Sequence, residues 1–216
     1  MLNDTANWKN WKNKPPANEW VPIGGFQGIF DGSGFVISGV YINGNLRDST
    51  DYQKGGLFMS VLYGAEIKNL GVIASYVKGK NNIGGLAGRS NGEISKCYYV
   101  GDVVGYEESS YSESHRVGGI AGTNRGTINN SYSAGTVSGD WQVGGLVGEN
   151  HEISPDTSGV INNSYYNRET SGQNDKGKGY GKTTAEMKRK KTFKGWDFDS
   201  IWKIDAEVNG GYPYLY

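Results

Sequence analysis

Short apolar segments separated by glycines recur along the middle of the chain at a regular spacing. Each unit begins with a Gly-Gly pair and an apolar residue, at 84–88, 118–122 and 144–148, with a degenerate copy at 55–58. In the units that begin at 84 and 118, counted from the second glycine of the pair, further glycines follow after seven, sixteen and twenty residues. Self-similarity over a few dozen residues is typical of repeat architectures.

The apolar positions of the repeat predict short β-strands rather than helices. They show no helical periodicity, and glycine and asparagine recur where tight turns need a left-handed backbone. One repeat cannot bury its apolar side chains alone, whereas stacked repeats can. We therefore predict an all-β fold, a parallel β-helix (β-solenoid), in which three sets of equivalent residues stack inside: Leu86, Ile120 and Leu146; Ile94, Ile128 and Ile161; Val103 and Val137.

Two adjacent positions of the repeat carry side chains of special interest. The first position holds Leu70, Cys97, Ser131 and Ser164, which predicts a tight site that faces inward. The second position holds Gly71, Tyr98, Tyr132 and Tyr165, and the glycine suggests that it faces outward. An outward strip of stacked tyrosines can stiffen a sheet by lateral packing, or it can serve as a platform for sugar rings. The candidate ligand-binding residues are therefore Tyr98, Tyr132 and Tyr165.

The flanks lack the repeat and predict caps, which a stack of strands needs at its ends. Residues 1–22, with three tryptophans, are the predicted N-terminal cap, and 23–172 are the repeat region. The alternating apolar residues on both sides of the turn at 31–34 predict either a hairpin or a first layer of the stack. Residues 173–216 predict a polar loop, a short helix and an aromatic cap that closes the last repeat, so that the chain forms one structural domain.

The predicted helix begins with a capping box, Thr183 to Glu186, and is expected to carry the basic run at 188–191. Asp31 lies among glycines, where an acidic residue is more often part of a turn than a calcium ligand. We accordingly predict no metal site and no cofactor.

Composition and charge exclude several classes of partner. Lysine plus arginine and aspartate plus glutamate number 22 each, and the zero net charge argues against binding to nucleic acid or to an anionic membrane surface. The apolar runs are too short to cross a bilayer, and the polar first residues predict no signal peptide. The single Cys97 excludes an internal disulfide framework and a cysteine-based zinc site.

Catalysis is the alternative that a β-helix leaves open, because many such folds cleave polysaccharides. That chemistry needs carboxylates clustered on one face. Here Glu93, Asp102 and Asp140 occupy non-equivalent positions of the repeat, and the adjacent Glu107 and Glu108 lie in a Ser-rich insertion. We therefore predict no catalytic residues and a protein that is not an enzyme, with a polysaccharide lyase or hydrolase as the alternative.

The Gly-Gly-Leu/Ile-x-Gly unit, followed by Ile-x-Asn-Ser-Tyr and Gly-x-Val, resembles the GLUG-motif repeat of bacterial surface proteins. These include haemagglutinin-like adhesins and immunoglobulin A peptidase-like proteins. The flanks at 20–34 and 196–213 are similar to the ends of such modules, so the resemblance covers the chain from 20 to 216. It implies a right-handed parallel β-helix, secretion, display on the cell surface and no catalysis. His115 and His151 do not form the H-E-x-x-H motif of the peptidase domain.

The resemblance leads us to expect a module of a longer exported protein, extracellular or at the cell surface, that acts in adhesion or as a spacer. Its expected partner is a host glycan or protein ligand. Insertions interrupt the repeat at 106–116 and 151–158. We expect recognition on these insertions, because loops on a rigid scaffold often carry binding residues.

Overall fold

The computed structural model describes residues 2–44, 55–106, 115–151 and 159–216. Within these ranges the fold is mostly β-sheet with a few short helices. The first strands are β1 (Ile23–Phe26), β2 (Ile29–Asp31), β3 (Val36–Ser38), β4 (Tyr41–Asn43), β5 (Phe58–Val61) and β6 (Glu66–Gly79). The middle of the chain forms β7 (Ile83–Gly84), β8 (Ala87–Ser90), β9 (Glu93–Gly105), β10 (Val117–Gly118), β11 (Ala121–Asn124), β12 (Thr127–Asn129), β13 (Tyr132–Ala134) and β14 (Val137–Ser138).

The last strands are β15 (Val143–Gly144), β16 (Val147–Asn150), β17 (Val160–Asn162), β18 (Tyr165–Asn167), β19 (Tyr180–Lys182), β20 (Trp202–Lys203) and β21 (Tyr214–Leu215). The α-helices are α1 (Arg168–Ser171) and α2 (Thr184–Met187). Short 3₁₀ turns span Trp8–Asn10, Lys190–Thr192 and Asn209–Gly211.

Strands of successive repeats lie side by side in three sheets. The first sheet has the order β1-β5-β8-β11-β16, the second has the order β15-β10-β7, and the third contains the remaining strands up to β19. The pairings within these sheets are parallel, and only the small β20–β21 pair is antiparallel among the described strands. Both β2 and β3 pair in parallel with β6, so the segment around the turn at 31–34 is not a hairpin.

The equivalent apolar residues of the repeat meet in register, as the spacing predicted. Ile94 lies opposite Ile128, which in turn lies opposite Ile161. Leu86, Ile120 and Leu146 are fully buried. These residues belong to one continuous apolar core along the strands, which explains why the repeat keeps its spacing.

Glycine and asparagine recur because the backbone is crowded or left-handed at their positions. A side chain at Gly85 would collide with the ring of Tyr99, and one at Gly145 would collide with the ring of Tyr166. Equivalent corners within the third sheet hold residues at positive φ: Asn69 in β6 at 51°, Lys96 in β9 at 52°, and Asn130 and Asn163 just before β13 and β18 at 45° and 43°. Asparagine tolerates this left-handed region better than most residues do.

The N-terminal segment bonds to the outer edge of the first strands. The Leu2 amide donates to the Ser38 carbonyl oxygen at 3.0 Å, and the Trp20 amide donates to the Tyr41 carbonyl oxygen at 2.7 Å. The Asn43 amide donates to the Glu19 carboxylate at 2.9 Å. These bonds satisfy backbone groups of β3 and β4 that would otherwise form an open edge.

The C-terminal segment differs from its predicted arrangement. Its aromatic residues do not close the last repeat but pack along the side of the third sheet, against Tyr98, Tyr132 and Tyr165 of successive repeats. The segment reaches as far as the first strands, where a side chain at Gly34 would collide with the Tyr216 carbonyl oxygen. The edge of β18 is instead covered by β19, which lies at the end of the predicted loop.

The capping box of α2 is present as predicted. The Thr183 hydroxyl accepts from the Glu186 amide, and the Glu186 carboxylate accepts from the Thr183 amide. The helix ends at Met187, however, so the basic run at 188–191 lies outside it, contrary to the prediction. The side chain of Met187 is buried against the aromatic segment, which places the end of the helix beside the tyrosines.

Candidate functional site

The predicted tyrosine strip exists on the third sheet. Tyr98 pairs with Tyr132, and Tyr132 pairs with Tyr165, in neighbouring parallel strands. The rings of Tyr98 and Tyr132 stack at a centroid distance of 5.3 Å with an interplanar angle of 5°. Gly71 continues the series and lies under the ring of Tyr98, where any side chain would collide. The three tyrosines pack in a cluster separate from the core that holds Leu86 and Ile94, so this position faces away from that core, as predicted.

The prediction that the tyrosine strip is exposed to solvent is wrong. Tyr98, Tyr132 and Tyr165 are 1%, 0% and 4% exposed. The C-terminal segment covers them with the buried side chains of Met187, Phe193, Trp196, Trp202 and Leu215. In this arrangement the rings offer no face to a sugar, because the side chains of the tail occupy the space that a ligand would need.

Two hydroxyl groups of the strip, those of Tyr132 and Tyr165, also bond to the tail. The Tyr132 hydroxyl donates to the Pro213 carbonyl oxygen at 2.6 Å and accepts from Asn209 Nδ2 at 2.7 Å. The Tyr165 hydroxyl accepts from the Lys194 amide at 3.0 Å. Burial raises the pKa of Tyr98 to about 12 and the pKa of Tyr132 well above its ordinary value. Both phenols are therefore neutral at physiological pH.

Cys97 lies on the inward side, in the predicted ladder with serines. The Cys97 amide donates to the Ser131 hydroxyl at 3.1 Å, and the Ser131 amide donates to the Ser164 hydroxyl at 3.2 Å. Burial raises the pKa of the Cys97 thiol to about 12. A thiol in this environment stays protonated at neutral pH, so Cys97 has the character of a structural residue.

The acidic residues considered for chemistry make local structural bonds. Asp31 accepts from Asn69 Nδ2 at 3.0 Å and from the Ser33 amide at 2.8 Å, and the Asn69 bond is the main cause that lowers the pKa of Asp31. Glu93 accepts from Asn129 Nδ2 at 3.1 Å, and Asp102 accepts from the Thr136 amide at 3.3 Å. The described part of the chain contains no group of three residues that could hold a metal ion. Both Glu107 and Glu108 lie outside the described residues.

The two insertions are described only at their bases. Residues 107–114 and 152–158 lie outside the described ranges, so the expected recognition loops stay a prediction. At their bases, Arg116 forms an ion pair with Glu149, and His151 Nδ1 lies 3.6 Å from the same carboxylate. The bases of both insertions therefore meet at one carboxylate on β16.

The N-terminal segment contains a cavity that was not expected from the sequence. Its volume is about 770 Å³, within the usual range for small-molecule sites, and it is lined by residues between Leu2 and Asn18. The signal in the sequence is the density of amides, because Asn3, Asn7, Asn10, Asn13 and Asn18 fall within one short segment. Without the fold, these amides are indistinguishable from ordinary turn residues.

Comparisons with known proteins give one partial similarity. Over 79 residues the chain is 44% identical to a protein of Evansella cellulosilytica named "Putative Gly-rich membrane protein". The matched segment covers 36% of this chain and 9% of that protein. No protein-family model matches the chain, and no solved structure matches it. The resemblance to the GLUG repeat thus stays a prediction from the sequence. Within the described ranges, every helix is too short or too polar to cross a bilayer.

Proposed function

We propose that the chain is a parallel β-helix that serves as a non-catalytic module, secreted or displayed at a bacterial cell surface. It binds a host or glycan ligand there, or it acts as a spacer. The observation that carries this proposal is the parallel, in-register pairing of strands from successive repeats in three sheets. Each further repeat adds one strand spacing of about 4.8 Å, so the length of such a module grows with its repeat number.

The pairing around one repeat supports the β-helix. From β7 through β8 to β9, each strand pairs with its counterpart in the next repeat, namely β10, β11 and β12. The left-handed corner residues then connect one strand direction to the next at equivalent positions. We also propose that the chain winds as a right-handed helix, because parallel crossover connections are almost always right-handed.

The state of the reactive side chains supports a non-catalytic role. Cys97 and the tyrosines of the strip are buried and neutral, with raised pKa values. Asp31 and Asp102 accept hydrogen bonds from backbone amides of turns. Catalytic groups generally need access to substrate and a pKa near the operating pH, and Cys97 and the buried tyrosines have neither property.

Display at a surface is supported by two similarities. The repeat resembles the GLUG motif of exported bacterial proteins, and part of the chain is similar to a protein named "Putative Gly-rich membrane protein". A stacked repeat is suited to such a location, since each layer is stabilised by its neighbours and a binding surface can be held away from the cell.

Catalysis is tested by incubating the purified chain with a panel of acidic and neutral polysaccharides. Reducing ends and unsaturated products are measured against a heat-unfolded control. We expect no product above the control, because the Glu93 and Asp102 carboxylates are engaged in local hydrogen bonds to Asn129 and to the Thr136 amide. Turnover of any polysaccharide would overturn the non-catalytic role in favour of a lyase or hydrolase.

Binding and spacing are separated by a second experiment. The chain is fused to a surface anchor, and adherence of the cells to host cells and to a glycan array is measured. Matched variants replace 107–114 or 152–158 by a short Gly-Ser linker. Loss of adherence in one variant supports recognition of the ligand by that insertion. Unchanged adherence in both variants means that another part of the module binds the ligand. If cells with and without the module adhere equally, the spacer role is retained and the binding role is rejected.

A further inference from the structure

The N-terminal segment forms a closed loop whose two ends are joined by asparagines. Asn3 Nδ2 donates to the Asn18 carbonyl oxygen at 2.8 Å, and the Asn18 amide donates to Asn3 Oδ1 at 3.1 Å. Asn3 Nδ2 also donates to the Gly39 carbonyl oxygen at 2.9 Å. Residues 3–18 are therefore closed at the base and attached there to the strands, which is the arrangement of a compact Ω-loop.

The middle of the loop is anchored by one aromatic side chain. Trp11 is 4% exposed and packs edge-on against Tyr41 at a centroid distance of 5.9 Å. Tyr41 in turn stacks on Tyr76 of the next repeat at 5.8 Å. The loop is thus held both at its base and at its centre, so its cavity is preorganised rather than a gap between mobile strands.

Several polar groups on the cavity wall have unused hydrogen-bonding capacity. Among the described residues, the side chains of Asn7 and Lys14 make no hydrogen bond or ion pair. Asn10 uses only its oxygen, as the acceptor from Asn13 Nδ2 at 3.2 Å. Asp4 uses one oxygen, as the acceptor from the Ala6 amide at 3.0 Å. The wall therefore offers free donors and free acceptors side by side.

The composition of the wall selects the chemistry of a ligand. An amide both donates and accepts, as a hydroxyl group does, so an amide-rich wall is complementary to a polyhydroxylated molecule. One carboxylate, Asp4, and one ammonium, Lys14, leave the cavity without net formal charge, which favours a neutral ligand over an anionic one. Pro15 and Pro16 add accessible apolar surface, which suits the carbon-bound face of a sugar ring, whereas Trp11 is buried and anchors the loop.

We propose that this cavity, with Asp4, Asn7, Asn10, Lys14 and Pro15 in its wall, binds a neutral saccharide. The inference deepens the proposed function, on which it rests, because it assigns glycan binding to the N-terminal loop instead of the buried tyrosine strip. Its volume of about 770 Å³ accommodates one or a few sugar units.

The test measures binding of a saccharide panel to the whole chain by calorimetry and by chemical-shift mapping. The panel contains neutral oligosaccharides of glucose, galactose, mannose and N-acetylglucosamine, together with a sulfated oligosaccharide. The test variant combines Asn7→Ala with Asn10→Ala. Both side chains are exposed, and Asn7 makes no side-chain cap bond to the turn that follows it, so the fold should be unaffected. The matched control is Asn174→Ala, an exposed asparagine outside the cavity.

We expect at least one neutral saccharide to bind, with shifts confined to residues 2–18. The double variant should raise the Kd about tenfold or more, whereas Asn174→Ala should leave it unchanged. If the double variant binds the saccharide as tightly as the native chain does, the proposed location of the site is rejected, whereas glycan binding by the module is retained. If no neutral saccharide binds, or the sulfated one binds best, the inference is overturned, and the spacer role of the module is unaffected.

Discussion

Two tyrosine stacks on the same sheet are covered by opposite ends of the chain. In the N-terminal stack, Tyr41 and Tyr76 lie 5.8 Å apart with an interplanar angle of 17°. In the C-terminal stack, Tyr98 and Tyr132 lie 5.3 Å apart with an angle of 5°. Both stacks join neighbouring repeats on the outer face, and both are nearly excluded from solvent by residues outside the repeat.

The two covers differ in extent. The N-terminal stack is covered chiefly by Trp11, which is the buried residue that the N-terminal segment contributes to that cluster. The C-terminal stack is covered by a group of buried aromatic and apolar residues: Met187, Phe193, Trp196, Trp202 and Leu215. The tail also bonds to the tyrosine hydroxyls. Outward aromatic residues of a repeat therefore need a cover, and the size of the cover should determine how much it stabilises the fold.

The largest expected effect comes from the centre of the C-terminal cover. Trp202 is buried, and its ring lies 4.2 Å from that of Trp196 and 6.3 Å from that of Tyr132. Trp202→Ala should lower the free energy of unfolding by about 3–5 kcal/mol, because it leaves a cavity among rigid rings. Denaturant unfolding measures this loss. The control is Trp141→Ala, which removes a ring that is 63% exposed and should cost less than about 0.5 kcal/mol. Equal losses in both variants would contradict the prediction.

A smaller loss is expected at the N-terminal cover. Trp11→Ala should cost about 2–3 kcal/mol, at or below the lower end for buried aromatic residues, since the short N-terminal segment can move to fill part of the space. Hydrogen exchange should show faster exchange in β4 and at the base of the loop, with β13 and β18 unchanged. A loss as large as that of Trp202→Ala would show that the size of the cover does not determine its contribution.

Alkaline pH should weaken both stacks, and the C-terminal stack more. Burial raises the pKa of Tyr98 and of Tyr76 to about 12, and that of Tyr132 well above its ordinary value. Above about pH 10 the unfolded chain loses these protons while the folded chain keeps them, so stability falls as pH rises. Each such tyrosine lowers the free energy of unfolding by up to about 1.4 kcal/mol per pH unit until its folded pKa is reached.

This pH dependence is measured by denaturant unfolding between about pH 9 and about pH 11, with phenolate absorbance to follow ionisation. Tyr98→Phe should reduce the slope of the free energy of unfolding against pH, by the equivalent of nearly one proton at about pH 11. A stability that stays constant over this range would mean that the tyrosines ionise without unfolding, and it would contradict their burial.

The smallest expected loss of stability comes from removing a single tyrosine hydroxyl, and it should differ between the two stacks. Tyr132→Phe removes the donor to the Pro213 carbonyl oxygen and the acceptor for Asn209, and it should cost about 1–2 kcal/mol. Among the described residues, no hydrogen bond reaches the Tyr76 hydroxyl, so Tyr76→Phe should cost less than about 0.5 kcal/mol. Thermal unfolding of the two variants decides the point. A larger loss for Tyr76→Phe would mean that the hydroxyl bonds do not distinguish the two covers.

The periodic features of the fold could be predicted because they depend on local spacing. The equal offsets in the repeat placed Ile94 and Ile128 in register, and the glycine in the series of Tyr98 indicated its outward direction. The capping box at Thr183 was also recognisable, since it needs only two residues three positions apart. Each of these features repeats along the chain or is complete within one short segment.

The accessibility of the strip could not be predicted in the same way. The bond from Tyr132 to Pro213 joins residues 81 positions apart, and nothing in the spacing around Tyr132 reports it. The cavity at Asn7 and Asn10 was missed for a related reason, because it exists only when Asn3 and Asn18 meet. The candidate site in the structure therefore lies in the N-terminal segment, which has no repeats, and not at the tyrosines of the repeat.

By itself, the sequence determined which residues of each repeat face inward, which face outward and where the backbone must turn. These properties follow from side-chain size and backbone preference at equivalent positions, and stacking repeats them in every layer. Only the tertiary structure decided that the tail lies along the tyrosines and that the N-terminal loop closes around a cavity. The physical reason is that both depend on single contacts between distant, non-repeated segments, whose partners no periodicity specifies.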